Sequence, residues 1–273
     1  MSSPRTLSVF NFIIVALNLL WIALVENGYI YSYSFSDTIA QYPTYITPAK
    51  FTYKIWTFIA FVMVLASYSM FYGTQKAHPN KNTILKVVKI DFWLILNQLA
   101  VGISMSLKHN DNFRWSLLFT GIALISIMVV NNKIQIQRLT SNSFTRYFIR
   151  LAFGLYTGWL MYVFAFNLAV IFEKWGFGIP PAGQFYVDVI LLLIVSVAML
   201  SYSYLKCLPM VSVVLTWAAY GAYYQGQLRP RAESEQVGYL LIALMVISVV
   251  VAILTYMRCN KNRVSKPMEL IED

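Results

Sequence analysis

Residues 237–257 read VGYLLIALMVISVVVAILTYM and carry no charged side chain. About 20 apolar residues in an α-helix cross a hydrocarbon layer that is about 30 Å thick. In lipid, each backbone polar group has to be satisfied within its own helix or in a closed barrel. The stretch therefore predicts a transmembrane helix, and similar stretches recur along the chain.

Seven other apolar stretches bring the prediction to eight membrane spans. The eight spans are 7–25, 51–72, 84–107, 115–130, 146–172, 185–205, 207–224 and 237–257. The composition is 59% hydrophobic and 12% charged with a mean hydropathy of +0.61, which excludes a soluble globular enzyme. Short alternating segments, typical of a barrel, do not occur. The predicted fold class is all-α, a polytopic transmembrane helix bundle, and the short fourth span and the tight turn at 205–207 leave a count of seven open.

The 21 basic residues predict the orientation of the chain. With the amino terminus inside, twice as many of them fall on the inner side as on the outer side, which favours cytoplasmic termini in a multi-pass protein. The net charge of +10 is divided among short loops, so nucleic acid is not an expected partner. Cys207 and Cys259 both fall on the inner side, where thiols stay reduced, and no structural disulfide is expected.

The first outer connection, residues 26–50, is too long for an ordinary interhelical loop. It is rich in aromatic residues, namely Tyr29, Tyr31, Tyr33, Phe35, Tyr42 and Tyr45. This density favours an ordered flap over the outer mouth of the bundle. The alternative is a belt of aromatic rings at the level of the lipid headgroups.

Small and polar residues inside the spans point to packing and to contacts with a ligand. Gly154 and Gly158 lie on one face of the fifth span and predict close approach of a neighbouring helix. Asn97 and Asn167 need partners inside the bundle, either another helix or a ligand. Asp91 and Asp188 are expected near helix ends in contact with interfacial water, with a proton relay as the alternative.

Motifs for catalysis are missing from the sequence. The two histidines, His78 and His109, are predicted in hydrophilic loops on opposite sides, too far apart to share a metal ion. The sequence contains no HExxH, GxSxG, phosphate-binding glycine loop or paired cysteine motif. We therefore expect no enzyme activity, no catalytic residue and no metal site.

Two regions carry a recognisable pattern of motifs. The first runs from Asn27-Gly28 through Ser36-Asp37 and Tyr42-Pro43 to TPAKFTYKIW at 47–56. The second is AFGLYTGW at 152–159, followed by Asn167, with Asn97 in the third span. Together they resemble the TspO/MBR family, the tryptophan-rich sensory proteins related to the translocator protein, and especially its longer members. The resemblance implies a five-helix membrane domain over residues 1–172 with the flap 26–50, a three-helix extension over 173–258 and a cytoplasmic tail over 259–273.

The resemblance also implies an outer-facing pocket, covered by the flap, that binds porphyrin, haem, sterol or a related hydrophobic molecule. The expected ligand-binding residues are Tyr53, Trp56, Asn97, Tyr156, Trp159 and Asn167. Their rings supply flat apolar walls and their amides supply hydrogen bonds. The expected function is that of a sensor or carrier with no required cofactor, in contact with membrane lipid and with a homodimer possible. The alternatives are a secondary transporter of a small solute and a membrane enzyme acting on a bound tetrapyrrole.

Overall fold

The computed structural model describes residues 3–31, 34, 37–38, 41, 44–75, 79–138, 143–175, 181–229, 231 and 233–264. Within these ranges the regular elements are helical. The α-helices are α1 (Pro4–Glu26), α2 (Ile55–Tyr72), α3 (Lys81–Ile90), α4 (Trp93–His109), α5 (Phe113–Lys133), α6 (Ser143–Trp175), α7 (Pro181–Lys206), α8 (Pro209–Leu228) and α9 (Ser234–Val264). Two short 3-10 helices, Lys50–Lys54 and Ile136–Arg138, precede α2 and follow α5.

The prediction of an all-α polytopic membrane bundle is confirmed. Six helices in the described ranges are long and apolar enough to cross a membrane, namely α1, α2 with its 3-10 helix, α5, α6, α7 and α9. The other two predicted spans fall on α4 and α8, which are not both long enough and apolar enough to meet the same requirement. Helix α4 has only 17 residues, and Tyr, Trp and Gln side chains make α8 more polar.

The predicted third span, 84–107, is not one continuous helix. Asp91 adopts a positive φ of 51° with a ψ of −138°, and this conformation ends α3 before α4 begins at Trp93. Helix α3 carries three lysines and is capped by Asn80, whose side chain accepts the Thr83 N–H at 3.1 Å. Lys86, Lys89 and Asp91 interrupt the apolar run at this point, but hydropathy averaged over the whole span does not register a change of backbone direction.

The helices form two groups that share α6. Helices α1, α2, α4, α5 and α6 close a ring of neighbours, and α6 also packs against α7 and α8, which in turn contact α9. Helix α6 is accordingly the most buried membrane helix, with 83% of its apolar window inside the protein.

The prediction of close packing at Gly154 and Gly158 is confirmed. A side-chain Cβ at Gly158 would lie 3.0 Å from the Val211 backbone, and one at Gly154 would lie 3.0 Å from Met210. The partner is α8 of the same chain. This glycine face of α6 is therefore covered within the protomer.

The two ends of the bundle differ in charge. We call the end that carries residues 26–54 the flap end, and the end that carries the start of α1 and the last turns of α9 the basic end. The basic side chains described at the basic end are Arg5, Lys81, Lys86, Lys89, Lys133, Arg146, Arg150, Lys206 and Arg258. Asp91 is the one acidic side chain described there.

The expectation of reduced cysteines is wrong for this structure. Cys207 and Cys259 form a disulfide with a Cα–Cα distance of 5.9 Å, which lies within the usual range for such a bond. Cys207 lies in the turn between α7 and α8, and the last turns of α9 return to the same place. The expectation rested only on the predicted side of the membrane, and sequence spacing did not show that these two elements meet.

Candidate functional site

An aromatic cluster joins the start of α2 to the middle of α6. Tyr53 and Trp56, three residues apart, face Tyr156 and Trp159, which are also three residues apart and therefore share a helix face. The Trp159 ring lies edge-on to Tyr53 at 6.0 Å and to Trp56 at 6.2 Å, and Trp56 lies edge-on to Tyr156 at 6.2 Å. All four side chains are buried. The structure thus brings together four of the six predicted ligand-binding residues.

The indole N–H groups of Trp56 and Trp159 are buried and have no hydrogen-bond partner among the residues that the structure describes. A buried indole N–H usually finds an acceptor, because an unpaired donor retains the cost of its lost hydration. The two donors belong to one cluster and lie on facing helices. The aromatic cluster therefore has hydrogen-bonding capacity that the described side chains do not use.

Asn97 connects helices and reaches the aromatic cluster through its neighbour Gln98. The Asn97 amide donates to the Ala123 carbonyl at 2.7 Å and accepts from Gln98 Nε2 at 2.7 Å. Gln98 Nε2 also lies 3.3 Å from the Tyr156 hydroxyl, and Gln98 Oε1 accepts from Asn18 at 2.6 Å. Gln98 was missed in the sequence, although a second amide directly after Asn97 in an apolar run was a signal for it.

Asn167 lies outside the ring contacts, eight residues or about 12 Å further along α6. Its Nδ2 donates to Thr120 Oγ1 at 3.1 Å, and Thr120 in turn is hydrogen-bonded to Ser104 at 2.7 Å. Within the described chain, Asn167 Oδ1 has no hydrogen-bond partner. Asn167 links α5 to α6, and its carbonyl oxygen remains an available acceptor.

The second half of the flap covers the aromatic cluster. Tyr162, stacked 6.1 Å from Trp159, donates its hydroxyl to the Ile46 carbonyl at 2.6 Å. Further along, the Ala49 N–H donates to the Gly221 carbonyl at 3.0 Å, and Trp217 Nε1 donates to the Thr52 carbonyl at 3.0 Å. The chain entering α2 is thereby fixed to α6 and to α8 at the same time.

Asp188 anchors the flap, contrary to its expected contact with interfacial water. The side chain is completely buried, and it accepts the Tyr45 backbone N–H at 2.7 Å and Gln184 Nε2 at 2.8 Å. The Tyr45 hydroxyl donates to Glu233. Burial, and then the hydrogen bond with Glu233, raise the pKa of Tyr45 to about 12. Nothing in the sequence pattern indicated that residue 45 would contact a helix residue 143 positions later.

The first half of the flap meets the last turn of α4. Tyr31 stacks on His109 at 4.1 Å with ring planes 10° apart, and Thr38 is hydrogen-bonded to His109 Nδ1 at 3.1 Å. His109 is thus a buried helix-terminal residue rather than a loop residue. Lys50 pairs with Asp37, and this hydrogen bond is the main reason that the pKa of Asp37 lies below its usual value.

Four cavities of the bundle lie outside the aromatic cluster. A groove of about 450 Å³ between α1 and α4 is lined by Asn18, Trp21 and Gln98. Three other cavities lie between α8 and α9 at the flap end, between α8 and α9 at mid-height, and at the basic end. None of these four cavities is lined by a ring of the aromatic cluster. The four rings fill the space between α2 and α6 with one another.

Some predicted residues lie outside the described part of the chain. They are Tyr33, Phe35, Ser36, Tyr42, Pro43, His78 and residues 265–273 of the tail. Within the described part, no group of three or more His, Cys, Asp and Glu side chains is arranged to hold a metal ion.

Comparison with known proteins identifies the family. A family model described as TSPO-like protein matches residues 8–256. The comparisons with curated proteins and with solved structures gave no match. The family match extends from α1 into α9 and so includes the C-terminal helices, and it confirms the resemblance to the TspO/MBR family. The chain belongs to the family of TSPO-like proteins, which are membrane-embedded ligand-binding proteins.

Proposed function

We propose that this TSPO-like protein is a sensor or carrier that binds a planar hydrophobic molecule, such as a porphyrin, haem or a sterol, at the aromatic cluster beneath the flap. The observation that best supports this proposal is that the indole N–H groups of Trp56 and Trp159 have no hydrogen-bond partner among the described residues. They point to an occupant that offers hydrogen-bond acceptors to an otherwise apolar site.

Binding requires the flap and the rings to move apart, because the rings now fill the site. Among the described residues, hydrogen bonds attach the flap and the 3-10 helix that follows it to Asp188, Tyr162, Gly221, Glu233, His109 and Trp217. Edge-to-face contacts between rings are weak individually, about 0.5–1.5 kcal/mol beyond burial. A flat aromatic ligand restores such contacts on both of its faces and accepts from the indoles, which offsets the cost of opening.

The proposed role is binding without catalysis. The cluster contributes aromatic rings, two phenol hydroxyls, two indole donors and, through Gln98, an amide network. These groups orient a ligand and exclude water from it. They supply neither an activated nucleophile nor a positioned acid and base pair, so we propose no enzyme activity.

A binding titration with matched tryptophan variants tests the proposal. Purified protein is titrated with protoporphyrin IX, haem and cholesterol, and Kd is measured for wild type, Trp159→Phe and Trp115→Phe. Trp115 is 57% exposed on the lipid-facing side of α5, so its variant controls for the general loss of one indole. We expect Trp159→Phe to weaken binding by about tenfold, since it removes a hydrogen bond and part of the ring surface, while Trp115→Phe leaves Kd unchanged.

Two outcomes contradict the proposal. The first is the absence of saturable binding for all three molecules. The second is saturable binding that Trp159→Phe does not weaken but Trp21→Phe does. That result would place the ligand in the groove between α1 and α4 instead of beneath the flap.

A further inference from the structure

A cavity at the basic end has a different chemical character from the aromatic cluster. It measures about 360 Å³ and lies between α6, α8 and α9. Two arginines of α6, Arg146 and Arg150, line it one helical turn apart and so share a face of the helix. No acidic residue contributes to the part of its wall that the structure describes.

The rest of the wall is apolar and lies at the edge of the bundle. Leu151 and Met210 line the cavity on the side that leads toward the membrane centre. The space closes one turn further along α6, where Gly154 meets Met210. Tyr147 and Tyr256 flank it and are 63% and 60% exposed, as expected for tyrosines at the level of lipid headgroups.

Basic side chains are concentrated around the cavity among the residues that the structure describes. Burial, and then repulsion by Arg146, lower the pKa of Lys86 on the neighbouring helix α3. The disulfide turn fixes one side of the site, because Arg150 also donates to the Cys207 carbonyl. A rigid basic wall above an apolar floor is complementary to an anionic headgroup attached to an acyl chain.

We propose that this cavity is a binding site for one anionic phospholipid. The phosphate lies against the Arg146 and Arg150 guanidinium groups, which suit phosphate geometry. An acyl chain follows Leu151 and Met210 along the outside of α6. The site is independent of the aromatic cluster and lies at the opposite end of the bundle.

Native mass spectrometry of the full chain in detergent tests this site. The protein is titrated with phosphatidylglycerol and with phosphatidylcholine of the same acyl chains, and the apparent Kd of the first bound lipid is compared. We expect phosphatidylglycerol to bind about tenfold more tightly. Arg146→Gln should remove most of this preference. Lys89→Gln, which deletes an exposed charge at the same end, should change it by less than about twofold.

The wild-type comparison of the two lipids does not depend on whether a variant folds. Equal affinity for both lipids overturns the proposal. A third arm adds inorganic phosphate at the same concentration as phosphatidylglycerol. Displacement of the lipid under this condition would show a site for free anions and would also overturn the proposal. Arg146→Lys, which keeps the charge but loses the paired donors, should retain part of the preference.

Discussion

Gly221 provides the sharpest test of how the flap is attached. This glycine of α8 lies directly against Thr52, in the 3-10 helix that joins the flap to α2. A Cβ built at Gly221 would lie 2.1 Å from Thr52 Oγ1 and 2.9 Å from Thr52 Cβ. Thr52 is completely buried, so its side chain has no free space into which it can turn.

The expected effect of Gly221→Ala follows from these distances. Ordinary contact begins at 3.4 Å, so Thr52 Oγ1 is about 1.3 Å too close. Because Thr52 Cβ is also too close, the backbone of the 3-10 helix has to move, and the Ala49 and Trp217 hydrogen bonds are strained with it. Overpacking of this kind costs about 1–3 kcal/mol. The thermal midpoint should fall by about 2–4 °C for each kcal/mol.

Gly226 is the matched control on the same helix. A Cβ there would meet no atom within 4 Å, so Gly226→Ala should leave stability unchanged or raise it by up to about 1 kcal/mol through helix propensity. Thermal unfolding of both variants in the same detergent shows whether each substitution lowers or raises the thermal midpoint. Thr52→Ala added to Gly221→Ala should recover part of the loss. Equal midpoints for the two single variants would refute the proposed packing of α8 against the flap.

Three further predictions concern the anchors of the flap and the disulfide. Asp188→Ala should destabilise the protein by about 1–3 kcal/mol in thermal unfolding, because it leaves the Tyr45 N–H buried without its acceptor, and Asp188→Asn, which keeps an acceptor, should cost less. The hydrogen bond from Lys50 lowers the pKa of Asp37, so this contact is fully stabilising above the ordinary value of 3.8 and is lost as the pH falls through the lowered value; Asp37→Asn should speed tryptic cleavage after Lys50 at neutral pH by up to about fivefold, and an unchanged rate would argue against the contact. Cys207→Ser should lower stability by at most about 4 kcal/mol, the chain-entropy value for a 52-residue separation, and a reductant should lower the wild-type midpoint while leaving the variant unaffected.

The helices were predictable because membrane insertion imposes a simple rule on hydropathy. Seven of the eight predicted spans each coincide with one helix, the third is divided between α3 and α4, and the spacing of Gly154 and Gly158 correctly indicated close packing. The break at Asp91 was not predictable in this way. It depends on one backbone conformation, at Asp91, although Lys86 and Lys89 make the sequence before it more polar than the rest of the predicted span.

Part of the site was also predictable. Tyr53, Trp56, Tyr156 and Trp159 occupy positions three residues apart on two helices, and such spacing places each pair on one face. Two features required the tertiary structure. The pairing of Tyr45 with Asp188 depends on how α7 packs against the flap. The packing of the four rings against one another depends on the distance between α2 and α6, which the spacing of residues along the sequence does not determine.

Hydrogen exchange with and without protoporphyrin IX is the most direct test of ligand binding at the aromatic cluster beneath the flap. At saturating ligand, backbone amides of residues 44–56 and of the segment of α6 around Trp159 should exchange more slowly than in the free protein, while those of α9 should be unchanged. Bound ligand with protection confined to α1 and α4, or with no protection at the flap, would contradict this placement of the site.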